Sequence, residues 1–181
     1  MANRLGRDFY VRSAESVAKE LLGKYITVNE VSGKIIETEA YIGPQDRASH
    51  AFGRKITERN KVEYLIGGHV YIYLVYGMYW QLNIVTNGEG FPGCVLIRAL
   101  DMGTEEIKKS NGPGKLCNCL GLDKSFYGED LTQSRRVWLE NKGSERVKIK
   151  SGPRIGIDYA GPYWAKRKLR FYIEDYKMFL P

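Results

Sequence analysis

Residues 69–86 read HVYIYLVYGMYWQLNIVT. β-Branched and aromatic side chains crowd both halves. They lose rotamer freedom in a helix and pack well on a pleated sheet. One glycine, Gly77, divides the run, so it is predicted as a strand, a bend and a returning strand, with the tip at Tyr76-Gly77-Met78-Tyr79. A lone hairpin is marginal in water, so further strands must cover it. YITV, a Ser32-Gly33 turn and KIIETEAYI read as a second hairpin, and Asn87-Gly88, Gly90 and Pro92-Gly93 turn the chain into CVLIRAL. RVWLE, RVKIK, RIGI and LRFYI are strand-like later on. Helices are few and short. Ser13 can cap one whose Val17, Ala18, Leu21 and Leu22 form an apolar stripe closed by Gly23, residues 104–109 look helical, and NGPGKLCNCLGL enters another. Residues 46–67 are mixed and polar, a long excursion with a short helix. The class is α+β on a largely antiparallel sheet, expected as a single domain over residues 1–181.

The charge balance bears on partners rather than fold. Lys+Arg 28 against Asp+Glu 21 gives +7, which favours nucleic acid or an anionic surface. The start, MANRLGRDFYVRSAESVAK, has no apolar signal region, and no run approaches a membrane span, so a soluble intracellular protein is expected. Cys94, Cys117 and Cys119 are too sparse for a disulfide framework. Cys117-Asn118-Cys119 lacks the paired C-x-x-C of structural zinc, and His50 is not followed by the x-Glu of a zinc deaminase, so no metal is expected.

In KIIETEAYI, alternation puts Ile35, Glu37, Glu39 and Tyr41 on one face and Ile36, Thr38, Ala40 and Ile42 on the core face. Glu39 beside Tyr41 is either a carboxylate set against a ring or part of a solvated strand edge. Arg98, inside the apolar CVLIRAL, needs an anionic or polar partner. Glu37, Glu39 or a water between them would serve, and a structural ion pair serves equally. Tyr76 and Met78 at a hairpin tip are hard to justify as core and suit a wedge entering a stacked duplex. Tyr71 reads as core, while Tyr73 reads as core or site. Cations gather late, at Lys142, Arg146, Lys148, Lys150 and Arg154, then Lys166, Arg167, Lys168 and Arg170. They form either a solvated face or an anchor for phosphates.

The blocks ETEAYIGPQDRASH, YIYLVYGMYWQLN, CVLIRAL, NGPGKLC and AGPYWAKRKLRFYI occur in that order. From about GRDFY to LRFYI the chain resembles the alkyladenine (3-methyladenine) DNA glycosylase family. The resemblance implies a compact α+β domain with a curved antiparallel sheet, a protruding DNA-inserting hairpin and no cofactor. It implies hydrolysis of the bond between a damaged purine and deoxyribose in double-stranded DNA, by a monomer of the cytoplasm and nucleoid if prokaryotic. Residue by residue, Glu39 would be the general base and Arg98 would help hold its water, with a backbone carbonyl near Ile155. Tyr41, His50 and Tyr73 would line the base pocket, with His50 at the sugar–phosphate side or the rim. Asn83 would clash with the 2-amino group of normal guanine, and Tyr76 would intercalate. Glu58, and Gly67 before Gly68, depart from the family's usual prolines. Two other readings stand beside this one: a non-catalytic nucleic-acid binder that uses the tyrosines for stacking, and a hydrolase of free nucleosides.

Overall fold

A computed structural model describes residues 3–103, 107–143 and 146–180. The strands are β1 (Asn3–Arg4), β2 (Tyr25–Val28), β3 (Val31–Tyr41), β4 (Val70–Val75), β5 (Tyr79–Val85), β6 (Cys94–Asp101), β7 (Val137–Asn141), β8 (Ile149–Gly152) and β9 (Arg170–Ile173). The helices are α1 (Arg7–Tyr10), α2 (Ala14–Leu21), α3 (Ile107–Ser110), α4 (Pro113–Leu120) and α5 (Pro162–Lys166). Every strand pair is antiparallel, in the order β1-β7-β2-β3-β6-β5-β4, and the sheet curls because β3 also pairs with β9, which carries β8. Of the segment predicted helical at residues 104–109, 104–106 lie outside the described residues.

Local chemistry explains most elements. The Ser13 side chain accepts the Ser16 N–H at 3.2 Å and starts α2, whose Val17, Ala18 and Leu21 are buried against the sheet. Thr38 on β3 donates to the Ala18 carbonyl at 2.8 Å and fixes that packing. Pro113 opens α4 at a position that needs no N–H donor, and Gly121, left-handed at φ 63°, closes it. Each fully buried Ile or Leu of this core, such as Ile36 or Leu82, contributes about 1.5–3 kcal/mol.

The β2–β3 turn differs from expectation. It falls at Asn29-Glu30, where Asn29 takes φ 52° and Val28 pairs with Val31. Asn tolerates the left-handed region. Ser32 and Gly33 lie within β3, and a Cβ on Gly33 would meet Leu100 at 3.2 Å, so this glycine serves packing rather than turning. RIGI is also no strand, because residues 154–157 run as irregular backbone, and of RVKIK only Ile149-Lys150 joins one.

Both faces of β3 are covered, and residues 35–40 are all buried. Alternation itself holds, since Glu37, Glu39 and Tyr41 share one face and Thr38 points to the other, while the β3–β6 register shifts on either side of Glu37. The pairs Glu37–Ala99 and Thr38–Ile97 leave Arg98 unmatched on β6, as a bulge. A bulge re-aims its side chain. In this case it turns a guanidinium toward two carboxylates.

Candidate active site

Glu39 sits at the centre of the sheet, opposite Leu96 on β6 and Arg170 on β9, and is fully buried. Its Oε1 accepts the Ile155 N–H at 2.8 Å, and its Oε2 accepts the Tyr41 hydroxyl at 3.0 Å. Arg98 Nη1 lies 3.4 Å from Oε1. A solvated strand edge is therefore excluded for Glu39. Burial raises its pKa, while Arg98, the Ile155 amide and Tyr41 pull in the opposite direction. Ile155 contributes its N–H to the carboxylate, which is the interaction its irregular backbone makes available. Glu37, equally buried, lies 3.3 Å from Arg98 Nε and accepts from Arg170 Nη1 at 2.8 Å. Arg98 is thus held between the two carboxylates.

Above Glu39 opens a cleft of about 450 Å³, walled by Tyr41, Tyr73, His50, Tyr159 and Arg98, with Tyr76 at its edge. Tyr41, Tyr73, His50 and Tyr159 also line a deeper recess of about 40 Å³, together with Tyr71, Asn83, Cys94 and Glu63. Asn83 reaches the recess from β5, where it pairs with Tyr71 and Leu96. The His50 ring stands edge-on to Tyr73, with centroids 4.7 Å apart, and its Nδ1 is 2.6 Å from the Tyr71 hydroxyl. This position is the pocket rim. Desolvation between the rings, and then Arg59, lower the pKa of His50. The expected site residues Glu39, Arg98, Tyr41, His50 and Tyr73 thus come together around one cleft, with Asn83 just beneath it.

At the β4–β5 tip, Met78 N–H bonds the Val75 carbonyl at 3.1 Å across Tyr76 and Gly77, with φ 53° and 70°. Tyr76 is 87 % exposed and Met78 62 % exposed. Positive φ costs a side chain such as tyrosine about 1–2 kcal/mol, whereas glycine or asparagine adopts it readily. The late cations divide into groups. Arg154 is fully buried against Asp46 at 2.6 Å, which removes it from any surface anchor. Lys148 and Lys150 pair with Glu174, Lys142 with Glu140, and Arg170 with Glu37. Lys166 and Lys168 are exposed beside Arg167, which stacks on Trp164 at 5.2 Å. No three His, Cys, Asp or Glu gather as a metal site, and no helix is long and apolar enough to cross a membrane, among the described residues.

The family model described as methylpurine-DNA glycosylase (MPG) matches residues 8–177. The chain belongs to that family. It is accordingly an enzyme, a hydrolase of DNA repair. It is 44 % identical to a putative 3-methyladenine DNA glycosylase of Clostridium perfringens, over 96 % of this chain and 97 % of that protein. Identity to the corresponding protein of Clostridium tetani is 46 %, over 95 % and 96 %. To the DNA-3-methyladenine glycosylase of Mus musculus it is 38 %, over 96 % of this chain and 60 % of that one.

Glu63, Tyr159 and the Asp46–Arg154 pair escaped the sequence reading. Glu63 lies in a short 3-10 helix, Lys61–Tyr64, within a mixed polar stretch of no periodicity, and only its place between Val62 and Tyr64 hints at burial. The departures from family prolines have local accounts. Gly67 lies so close to Tyr10 that a Cβ would come within 2.6 Å of its carbonyl, and Gly67 N–H bonds Asn87. Glu58 is an exposed partner of Lys61.

Proposed function

We propose that this chain flips alkylated or deaminated purines out of duplex DNA and hydrolyses their N-glycosidic bond with water activated by Glu39. The observation that carries the reading is a buried carboxylate held by Arg98, Ile155 and Tyr41 at the floor of a cleft walled with tyrosines. A binding module has no use for such a group. Oε1 takes the Ile155 N–H and faces Arg98, whereas Oε2 takes only the Tyr41 hydroxyl and keeps a lone pair for water. The anionic carboxylate also stabilises oxocarbenium character at C1′ as the base departs. No lysine lines the cleft among the described residues, so water rather than an amine is the nucleophile and the enzyme is monofunctional.

Tyr41, Tyr73 and His50 stack around the flipped base, and electron-poor alkylated purines stack on them well. Asn83 rejects the 2-amino group of guanine. Flipping costs a few kcal/mol of unstacking, least for damaged or mismatched bases. Tyr76, with Met78 beside it, offsets that cost by filling the gap. The enzyme works as a monomer. Incubation with duplex DNA containing hypoxanthine or 3-methyladenine should release free base, and the corresponding free nucleoside should stay intact. If no base leaves the duplex, or the nucleoside is cleaved as fast, the reading fails.

The wedge is separable from the fold. Tyr76→Ala should weaken binding to a paired lesion by about tenfold, an unstacking-scale loss, and weaken binding to a mismatched lesion less. Tyr76→Asn should lose flipping similarly while melting a few degrees higher, since about 1–2 kcal/mol of backbone strain is relieved. Equal binding losses on paired and mismatched sites would remove Tyr76 from the wedge role.

Lys166, Arg167 and Lys168 anchor the phosphate backbone. If about five phosphates are neutralised, the log–log salt slope of binding is near −4 to −5. The triple alanine variant should flatten it by roughly 2–3 and weaken lesion and undamaged DNA alike. A slope unchanged in fluorescence-anisotropy titrations would show that these cations face away from DNA.

A further inference from the structure

Glu63 is fully buried at the inner end of the base recess, and neither carboxyl oxygen has a hydrogen-bond partner among the described residues. An ionised carboxylate cannot remain so unsatisfied, because nothing replaces its hydration. The titratable groups facing it are Tyr71 and Tyr73 from β4, Cys94 from β6, Tyr127, and its own neighbour Tyr64. All are neutral phenols or a thiol, raised by burial, and none supplies a cation. Desolvation accordingly lifts Glu63 to about 8, against smaller opposing pulls from Cys94 and Tyr71. At neutral pH the group is a carboxylic acid with a proton to give.

A route leads outward from it. The Tyr71 hydroxyl is 2.6 Å from His50 Nδ1, Tyr71 lines the recess together with Glu63, and His50 lines both the recess and the cleft. The depressed pKa of His50 keeps that ring neutral, so it can pass a proton on but does not store one. Alkylated cationic purines leave without help, whereas a neutral purine such as hypoxanthine must gain a proton as it departs.

The geometry points to Glu63 as the proton store for neutral leaving purines, acting through Tyr71 and His50. This role rests on the glycosylase reading above. As the C1′–N9 bond breaks, its electron pair passes to the purine, and a purine ring nitrogen takes the His50 Nε2 proton. The Tyr71 hydroxyl proton moves to His50 Nδ1, and the Glu63 carboxyl, which holds no hydrogen bond at rest, turns to the Tyr71 oxygen and gives it a proton. Water adds its oxygen to C1′ and gives its proton to Glu39. Glu63 ends ionised and His50 ends in its other tautomer, and both reset with a proton from solvent.

The test compares release of hypoxanthine and of 3-methyladenine from otherwise identical duplexes across pH. In the wild type, hypoxanthine release should fall as pH rises through about 8, where Glu63 loses its proton, and 3-methyladenine release should not. Glu63→Gln should remove that alkaline limb and lower the ratio of hypoxanthine release to 3-methyladenine release by ~10²-fold or more. Tyr71→Phe, which breaks the relay and keeps the ring, should shift the ratio of the two rates in the same direction. Gln replaces a neutral acid of equal size, so melting should not fall, and Tyr71→Phe provides a second route to the ratio if it does. Parallel losses on both lesions, or an unchanged ratio, would overturn the relay. It also falls if the wild type releases 3-methyladenine alone, although the Glu39 reading would survive that result. Release of neither base would defeat both.

Discussion

Replacing Glu39 by glutamine should lower base excision by at least ~10²–10⁴-fold, the usual worth of a positioned general base. Glutamine keeps the size and the hydrogen-bonding reach of glutamate but cannot take a proton from water. Its oxygen can still accept from Ile155, so the local structure survives. Binding to lesion DNA should persist as well, since the tyrosines of the cleft and the hairpin tip are untouched. Single-turnover release of 3-methyladenine, together with equilibrium binding, checks both halves, and normal excision by the variant would defeat the assignment. Glu37 is not a neutral control for this experiment. Although one pleat away, it is the buried counterion of Arg98 and Arg170, and neutralising it would loosen the guanidinium that faces Glu39.

The pH dependence follows from the direction of the Glu39 shift. Burial raises its pKa above the ordinary carboxylate range, so excision of a cationic lesion should rise with pH beyond that range and then level off. The effect on stability has the opposite sign. A carboxyl whose folded pKa is raised binds its proton more tightly when folded. Stability is therefore highest below the unfolded pKa, roughly 4.3, and declines as pH climbs to the folded value. Glu39→Gln should remove this decline and melt higher than the wild type at neutral pH. Activity and stability are opposed at this position, as they are wherever a site keeps a charge in a dry interior.

The aromatic hairpin, the Ser13 cap and the strands carrying Glu39 and Arg98 were legible because each rests on local chemistry. Side-chain alternation, one glycine and one hydroxyl suffice to indicate them. The family resemblance then supplied roles that no periodicity contains. What stayed hidden depends on register and on distant partners. The Arg98 bulge exists only because β3 and β6 slip past one another around Glu37. Nothing in the sequence sets Glu63 apart from the polar residues around it, and only the fold brings its short 3-10 helix to the recess beside Tyr71. RIGI alternates like a strand, yet its backbone is drawn away from the sheet so that Ile155 can reach Glu39.

Arg154 shows how far such a hidden contact reaches. Both its side chain and that of Asp46 are fully buried, joined by two hydrogen bonds of 2.6 and 2.9 Å, and Arg154 also donates to the Ala40 carbonyl at 3.0 Å. Asp46 in turn accepts the Ile42 and Ala48 N–H groups, tying the loop that leads to His50. Arg154→Met would leave Asp46 buried without its counterion. Breaking a buried pair from one side costs about 3–5 kcal/mol. At about 2–4 °C per kcal/mol for a chain of this size, melting should fall by roughly 6–20 °C. The double variant Asp46→Leu with Arg154→Met should recover part of that loss, because a dry apolar pair needs no counterion but leaves the Ile42 and Ala48 N–H groups without their acceptor. Its excision rate should remain low even so. Arg154 stacks over Tyr41 at 4.7 Å and immediately precedes Ile155, so its removal releases two of the groups that hold the Glu39 carboxylate. Thermal melting and excision rates measured on the same three proteins separate the two effects. Full recovery of both would reduce the pair to scaffolding, whereas recovery of stability alone makes it the clamp that keeps the Glu39 carboxylate in position.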